Sequence, residues 1–114
     1  MAKGQFQGQT FRANYYYGSF MSGAQGGNLH IYEETVVFKP NELNFLDKDS
    51  KVIQIRDICG YKKGIMTWLT IYLNNGTEIK LAVWKKDEII QTLEARRYAI
   101  YKNLGQPIPP LKVF

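Results

Sequence analysis

The sequence predicts a mainly β domain, a sheet or barrel whose open side is covered by one C-terminal helix. Two observations carry this. Only one segment has helical period and helical length, and nearly everything upstream of it alternates in short strand-like runs broken by Gly, Asn and Pro. In the helical segment, Ile89, Leu93, Ile100 and Leu104 form one stripe, flanked by Ile90 and Tyr101. Asp87 and Glu88 suit the positive end of a helix dipole. Lys102, Gly105 and Pro107 mark the stop, so the spacing predicts a helix over about 86–103. Arg97 is the odd member, lying inside the apolar stripe. Its stem can cover the barrel rim while its guanidinium reaches a carboxylate or solvent.

The strands follow in order. Thr10 to Tyr17 alternates, with Phe11, Ala13, Tyr15 and Tyr17 on one face. Gly18 to Gly27 reads as a loop carrying two large apolar residues, Phe20 and Met21. Strands over Asn28–Tyr32 and Thr35–Lys39 share a face if Ile31 pairs with Val36 and Leu29 with Phe38. The connecting Glu33-Glu34 suits the positive backbone angles of a two-residue hairpin poorly, so a wider turn stays open as an alternative. Leu43, Phe45 and Leu46 start a short strand, Val52, Ile53 and Ile55 resume it, and Asp57-Ile58 leads into a strand through Tyr61. The hairpin from Thr67 to Trp84 discriminates between registers. A two-residue Asn75-Gly76 turn would put the two apolar faces on opposite sides. A three-residue Asn74-Asn75-Gly76 loop pairs Leu73 with Thr77, Ile71 with Ile79 and Leu69 with Leu81, and keeps one face apolar. Trp68, Thr70 and Tyr72 then point away from the core, beside Lys80 and Ala82.

A chain of 114 residues with 45% hydrophobic and 22% charged residues is one soluble globular domain. Residues 1–9 read as a flexible lead, 10–104 as the domain and 105–114 as a Pro-rich tail. Ile108, Leu111, Val113 and Phe114 are too apolar for a solvated tail, so the tail either packs back on its own barrel or docks on another chain. Exposed barrel edges and this tail invite self-association, with no feature fixing its symmetry. The net charge of +5 leans mildly toward anionic partners. The single Cys59 forbids an internal disulfide and fits a reducing compartment. The N-terminus lacks the apolar run of a signal peptide, and no stretch approaches a membrane span. The expected location is cytoplasmic, at most peripheral to a membrane.

The residue set disfavours an enzyme. One histidine, His30, and one thiol give no recognisable nucleophile–base pair, and zinc needs more ligands. The glycines do not precede a helix or a Gly-Lys-Ser/Thr step, so they form no phosphate loop. No metal or cofactor is expected. Basic pairs at Lys62-Lys63, Lys85-Lys86 and Arg96-Arg97 are either phosphate contacts or a solvated face. Trp68, Tyr72 and Trp84 with Lys80 and Lys85 either stack single-stranded bases or are covered by the tail or a dimer contact.

In their order and spacing, Ala13-Asn-Tyr-Tyr16, Gly26-Gly27-Asn-Leu-His-Ile-Tyr32, Val36-Val-Phe-Lys39, Leu43-Asn44, Ile55-Arg-Asp-Ile58, Leu69-Thr-Ile71, Asn75-Gly76 and Val83-Trp-Lys-Lys-Asp-Glu-Ile-Ile90 resemble a bacterial GRAM domain. The resemblance covers about Thr10 to Ala99. Tyr32 stands where relatives commonly carry Thr, and Glu33 where they carry Asn or Asp. The resemblance implies a pleckstrin-homology-like fold: two near-orthogonal antiparallel sheets in a seven-stranded barrel, capped by a C-terminal helix. It also implies a non-catalytic module that binds a protein or a membrane lipid. Lipid-binding members hold phosphates with Lys and Arg around the first inter-strand loop, but Gly18 to Gly27 carries no charge. That argues against tight phosphoinositide binding there. Phe20 and Met21 either insert into a bilayer interface, with Lys62 and Lys63 on anionic headgroups, or pack on the barrel. The expected partner is thus a protein or an anionic membrane surface, with nucleic acid ranked below both.

Overall fold

A computed structural model describes residues 8–16, 24–40 and 51–113. Seven strands, β1 (Gln9–Tyr16), β2 (Ala24–Ile31), β3 (Thr35–Pro40), β4 (Lys51–Gln54), β5 (Ile58–Lys63), β6 (Trp68–Leu73) and β7 (Glu78–Val83), precede one helix, α1 (Lys86–Leu104). All pairings are antiparallel, in the order β4-β3-β2-β1-β7-β6-β5. The hydrogen bonding runs unbroken through β1, which pairs with β2 along its length and with β7 through residues 13–16. Inward residues of every strand and of α1 share one core, including Leu29, Phe38, Ile53, Ile58, Leu69, Leu81, Ile89 and Leu93. A single sheet can surround such a core only by curling, and the helix closes the remaining side.

Both hairpin registers match the sequence reading. Leu29 faces Phe38 and Ile31 faces Val36, and Ile71 faces Ile79 with Leu69 opposite Leu81. The Leu73 amide donates to Thr77 O (2.9 Å) and Gly76 takes φ 91°. Glu33 and Glu34 form a two-residue connection after all, with Tyr32 N donating to Thr35 O (2.8 Å) and neither glutamate at positive φ. The turn is held from outside instead: Arg96 Nε donates to Glu33 O (3.1 Å) and Ile55 N to Glu34 O (2.9 Å).

Three sequence readings need correction. First, β2 begins at Ala24 rather than Asn28 and absorbs part of the expected loop. Asn14 pairs with Gly26 and Ala13 with Gly27. A Cβ at Gly27 would lie 2.2 Å from Lys39 O, so the glycine is needed for β3 to approach. Second, Ile55 does not continue β4. A short 3-10 turn, Ile55–Asp57, buries it and turns the chain into β5. Third, Leu104 does not complete the helix stripe, being 46% exposed, whereas Arg97 is only 2% exposed. Leu43, Phe45, Leu46 and Tyr17 lie outside the described residues.

The C-terminal end of α1 closes on Gly105 at φ 71°, with the Gly105 and Gln106 amides donating to Lys102 O and Tyr101 O. Residues 106–113 then turn back along the body, where Lys112 N donates to Cys59 O (2.8 Å) and Arg97 Nη2 donates to Pro109 O (2.6 Å). Arg97 also donates from Nε to Ile58 O and from Nη1 to Glu94 Oε1 (both 3.1 Å). Its three acceptors come from β5, α1 and the tail. This explains how a guanidinium survives in the apolar stripe.

Candidate functional site

The turn between β5 and β6 concentrates features that packing does not explain. Ile65 and Met66 are 79% and 87% exposed. In the four-residue turn Ile65–Trp68, Trp68 N donates to Ile65 O (3.2 Å). Met66 sits at the first central position with φ 56°, the only non-glycine at positive φ among the described residues. Glycine is the usual solution there, and a side chain costs roughly 1–2 kcal/mol. Exposure of two apolar side chains and a left-handed backbone are two costs with no compensating contact among the described residues.

The turn is braced by the start of α1. Lys86 Nζ donates to Gly64 O (2.7 Å), and Lys63 Nζ donates to Asp87 Oδ1 (2.8 Å). The Lys63 bond holds the Asp87 carboxyl below its usual range. On the sheet side, Val83 N donates to Thr67 O (2.8 Å). The next residue, Trp84, is 79% exposed. Lys85 approaches Glu88 at 3.9 Å. Beside Trp84 and Lys85 a shallow groove continues onto Thr10, Phe11 and Arg12 of β1. Among the described residues, Lys62 and Arg12 have no acidic partner. One end of the molecule therefore presents an apolar tip, an exposed indole and a surplus of positive charge.

The structure splits the sequence-predicted residues. Lys62, Lys63 and Lys85 gather at this end. Trp68, Tyr72 and Lys80 lie on the outward face of β6 and β7, where Lys80 is opposite Thr70 and Tyr72 opposite Glu78. The Trp68 ring is packed against Tyr16 (4.6 Å, 55°), which takes up one side of the indole, and Glu78 sets a carboxylate in the same row. That arrangement suits base stacking and phosphate contacts poorly. Phe20 and Met21 lie outside the described residues. Ile65 and Met66 escaped the sequence reading. The available signal was an apolar pair directly after Gly64, in a turn that should be polar.

His30 is on the outer side of β2, with Nδ1 3.1 Å from Thr10 Oγ1. Burial, then nearby Lys39, hold its pKa below the ordinary histidine value. Cys59 is buried in β5, and β1, β7 and β6 lie between these two strands in the sheet. Among the described residues no three His, Cys, Asp or Glu side chains group as metal ligands. Nor is any helix there long and apolar enough to cross a membrane.

No family model and no curated protein matches this sequence. Solved structures do. The solution structure of the PH domain of human oxysterol binding protein-related protein 11 aligns with a TM-score of 0.70 at 10% identity, covering 100% of this chain and 99% of that one. The C-terminal domain of an unknown protein from Leishmania infantum aligns with a TM-score of 0.63 at 16% identity, covering 79% of this chain and 82% of that one. At such identities the likeness is one of fold, and the fold of this chain is pleckstrin-homology-like.

Proposed function

We propose that this chain is a non-catalytic, GRAM-like interaction module that docks reversibly on an anionic membrane surface through the β5–β6 turn. The observation that carries the reading is Met66, exposed and left-handed at the apex beside Ile65. Strain and exposed apolar surface coincide at interaction sites more than elsewhere. The supporting chemistry is graded by depth. Ile65 and Met66 would enter the acyl boundary, Trp84 would lie at headgroup level, and Lys62, Lys63, Lys85 and Lys86 would face anionic lipid. Full burial of each apolar side chain contributes roughly 1.5–3 kcal/mol, and each lysine near the surface about 1 kcal/mol. Against the entropy of ordering, this supports weak attachment. The corresponding location is cytoplasmic, with recruitment to a membrane.

The test is flotation of the purified protein with neutral and with anionic vesicles, at low and physiological salt. Binding to anionic vesicles only, weakened by salt and lost in Ile65→Ser/Met66→Ser, is the expected result. Flotation unchanged in that double variant removes the reading. No flotation of the parent chain under any condition favours a protein partner at the same tip. Nucleic-acid binding on the Trp68, Tyr72 and Lys80 face is the lower-ranked alternative, checked by salt-dependent binding to an oligonucleotide.

A further inference from the structure

The C-terminal end of α1 borders a hollow that has no residue in common with the β5–β6 turn. Its rim comes from three segments remote in sequence: Glu34 between β2 and β3, Gln54 and Arg56 at the end of β4 and in the 3-10 turn, and Ile100, Asn103 and Leu104 near the end of α1. The hollow has a volume of about 190 Å³. It is smaller than the pockets that hold drug-sized ligands and suits a molecule of amino-acid size. Its frame is fixed by bonds made outside it. Ile55 N donates to Glu34 O (2.9 Å), Tyr101 Oη donates to Arg56 O (3.0 Å), and Arg96 Nε donates to Glu33 O (3.1 Å). These bonds tie the β2–β3 connection and the 3-10 turn to each other and to α1, so Glu34 and Arg56 are set in place through their main chain.

The side chains on this frame are uncommitted. Among the described residues, neither the Glu34 carboxylate nor the Arg56 guanidinium forms an ion pair or a hydrogen bond, with the other or with a third group. The Gln54 and Asn103 amides are likewise without partners among the described residues. Opposite charges that line one hollow without pairing leave a gap that a molecule carrying both charges can span. The hollow also has an apolar wall. Ile100 is buried, whereas Leu104, the last apolar residue of the helix stripe, is 46% exposed. Leu104 is surface that the core does not use and the hollow does. The negative end of the helix dipole lies on the same side and favours a cation near Asn103 and Leu104.

We propose that this hollow binds a free α-amino acid with an apolar side chain. The ammonium donates to the Glu34 carboxylate, on the side of the helix C-terminus. The carboxylate accepts a pair of N–H bonds from the Arg56 guanidinium. The apolar side chain rests on Ile100 and Leu104. A simple amine leaves Arg56 without a partner and a simple carboxylate leaves Glu34 without one, so the site selects the zwitterion. The hollow lies at the opposite end of α1 from the Lys86 and Asp87 brace, and its occupation does not depend on membrane docking.

The probes are L-leucine, isocaproate, which is leucine without its ammonium, and isoamylamine, which is leucine without its carboxylate. Each is titrated into the isotope-labelled full chain in the absence of vesicles and read by amide chemical shifts. The expected result is saturable shifts with L-leucine centred on Glu34, Arg56 and Asn103, with both analogues binding about tenfold more weakly or worse. Glu34→Gln should weaken L-leucine by about tenfold and leave isocaproate unchanged. Arg56→Gln should weaken L-leucine and leave isoamylamine unchanged. Both substitutions fall on exposed side chains, and a thermal melt checks that each variant is folded. The absence of saturable shifts with L-leucine, L-methionine and L-phenylalanine overturns the proposal. So does isocaproate or isoamylamine binding as tightly as L-leucine, which would reduce the site to one charge beside an apolar wall.

Discussion

The two ends of α1 use the same charge chemistry to opposite effect. At the start of the helix, Lys63–Asp87 and Lys85–Glu88 are solvent-exposed pairs at 2.8 and 3.9 Å. Water and salt screen them, so they brace the β5–β6 turn without deciding whether the chain folds. Three turns later, Arg97 is buried, and of its three acceptors the Ile58 carbonyl is buried with it. The first end keeps its charges available to the outside, and the second spends one on joining β5, α1 and the tail. Local dielectric, not residue type, separates a surface that can bind from a node that holds.

That contrast can be broken at several points. Arg97→Ala is expected to cost about 3–5 kcal/mol, because it strands the buried Ile58 carbonyl, empties the space of a buried long side chain and takes from Glu94 its guanidinium partner. A denaturant melt reads this, and a loss under 1 kcal/mol would mean that the node is not buried in solution. Leu93→Ala, at the centre of the helix stripe, should cost about 2–5 kcal/mol, and a negligible loss would contradict a helix packed on the sheet. Tyr61 sharpens the electrostatic side. Burial, then its bond to Glu94, raise the phenol pKa well above the ordinary value. A raised folded pKa means stability is intact below the unfolded value of about 10 and lost as pH rises beyond it. Thermal melts above that pH should therefore fall by up to about 1.4 kcal/mol per pH unit, and Tyr61→Phe should flatten part of that slope.

At the exposed end the expected effects are smaller and partly reversed. Met66→Gly should raise stability by about 0.5–1 kcal/mol, since relief of the left-handed strain exceeds the added chain entropy. The same substitution should weaken vesicle flotation. A variant that is more stable yet binds less would show that Met66 is kept for contact, and a destabilised Met66→Gly would show that it packs. Lys63→Ala should leave the melting temperature unchanged within error at physiological salt. A clear drop would mean that the brace to Asp87 is structural.

Much of the fold was legible in the chain because its periodicities are unambiguous. Alternation over Leu69–Leu73 and Ile79–Val83 admits one register that keeps a single apolar face, and the structure adopts it. The same holds for Leu29, Ile31, Val36 and Phe38. The candidate site was legible only in fragments. Lys62, Lys63 and Lys85 were singled out as basic pairs, but their grouping with Met66 and Trp84 depends on β7 ending beside the β5–β6 turn. Gly27 read as loop, because its reason for being glycine is the approach of Lys39 O from another strand.

The sequence by itself determined the element order, the registers of the β2–β3 and β6–β7 hairpins and the position of the helix, since these follow from side-chain period and from Gly and Pro punctuation over a few residues. Tertiary structure alone decided the fate of the exceptions. Arg97 became a buried node because carbonyls from residues 39 positions before and 12 positions after it converge on one guanidinium. Leu104 lost its place in the stripe because the core ends a turn earlier, and Met66 was left in the open because no element among the described residues packs over the β5–β6 turn. Such outcomes depend on distances between segments remote in sequence, which no local pattern encodes.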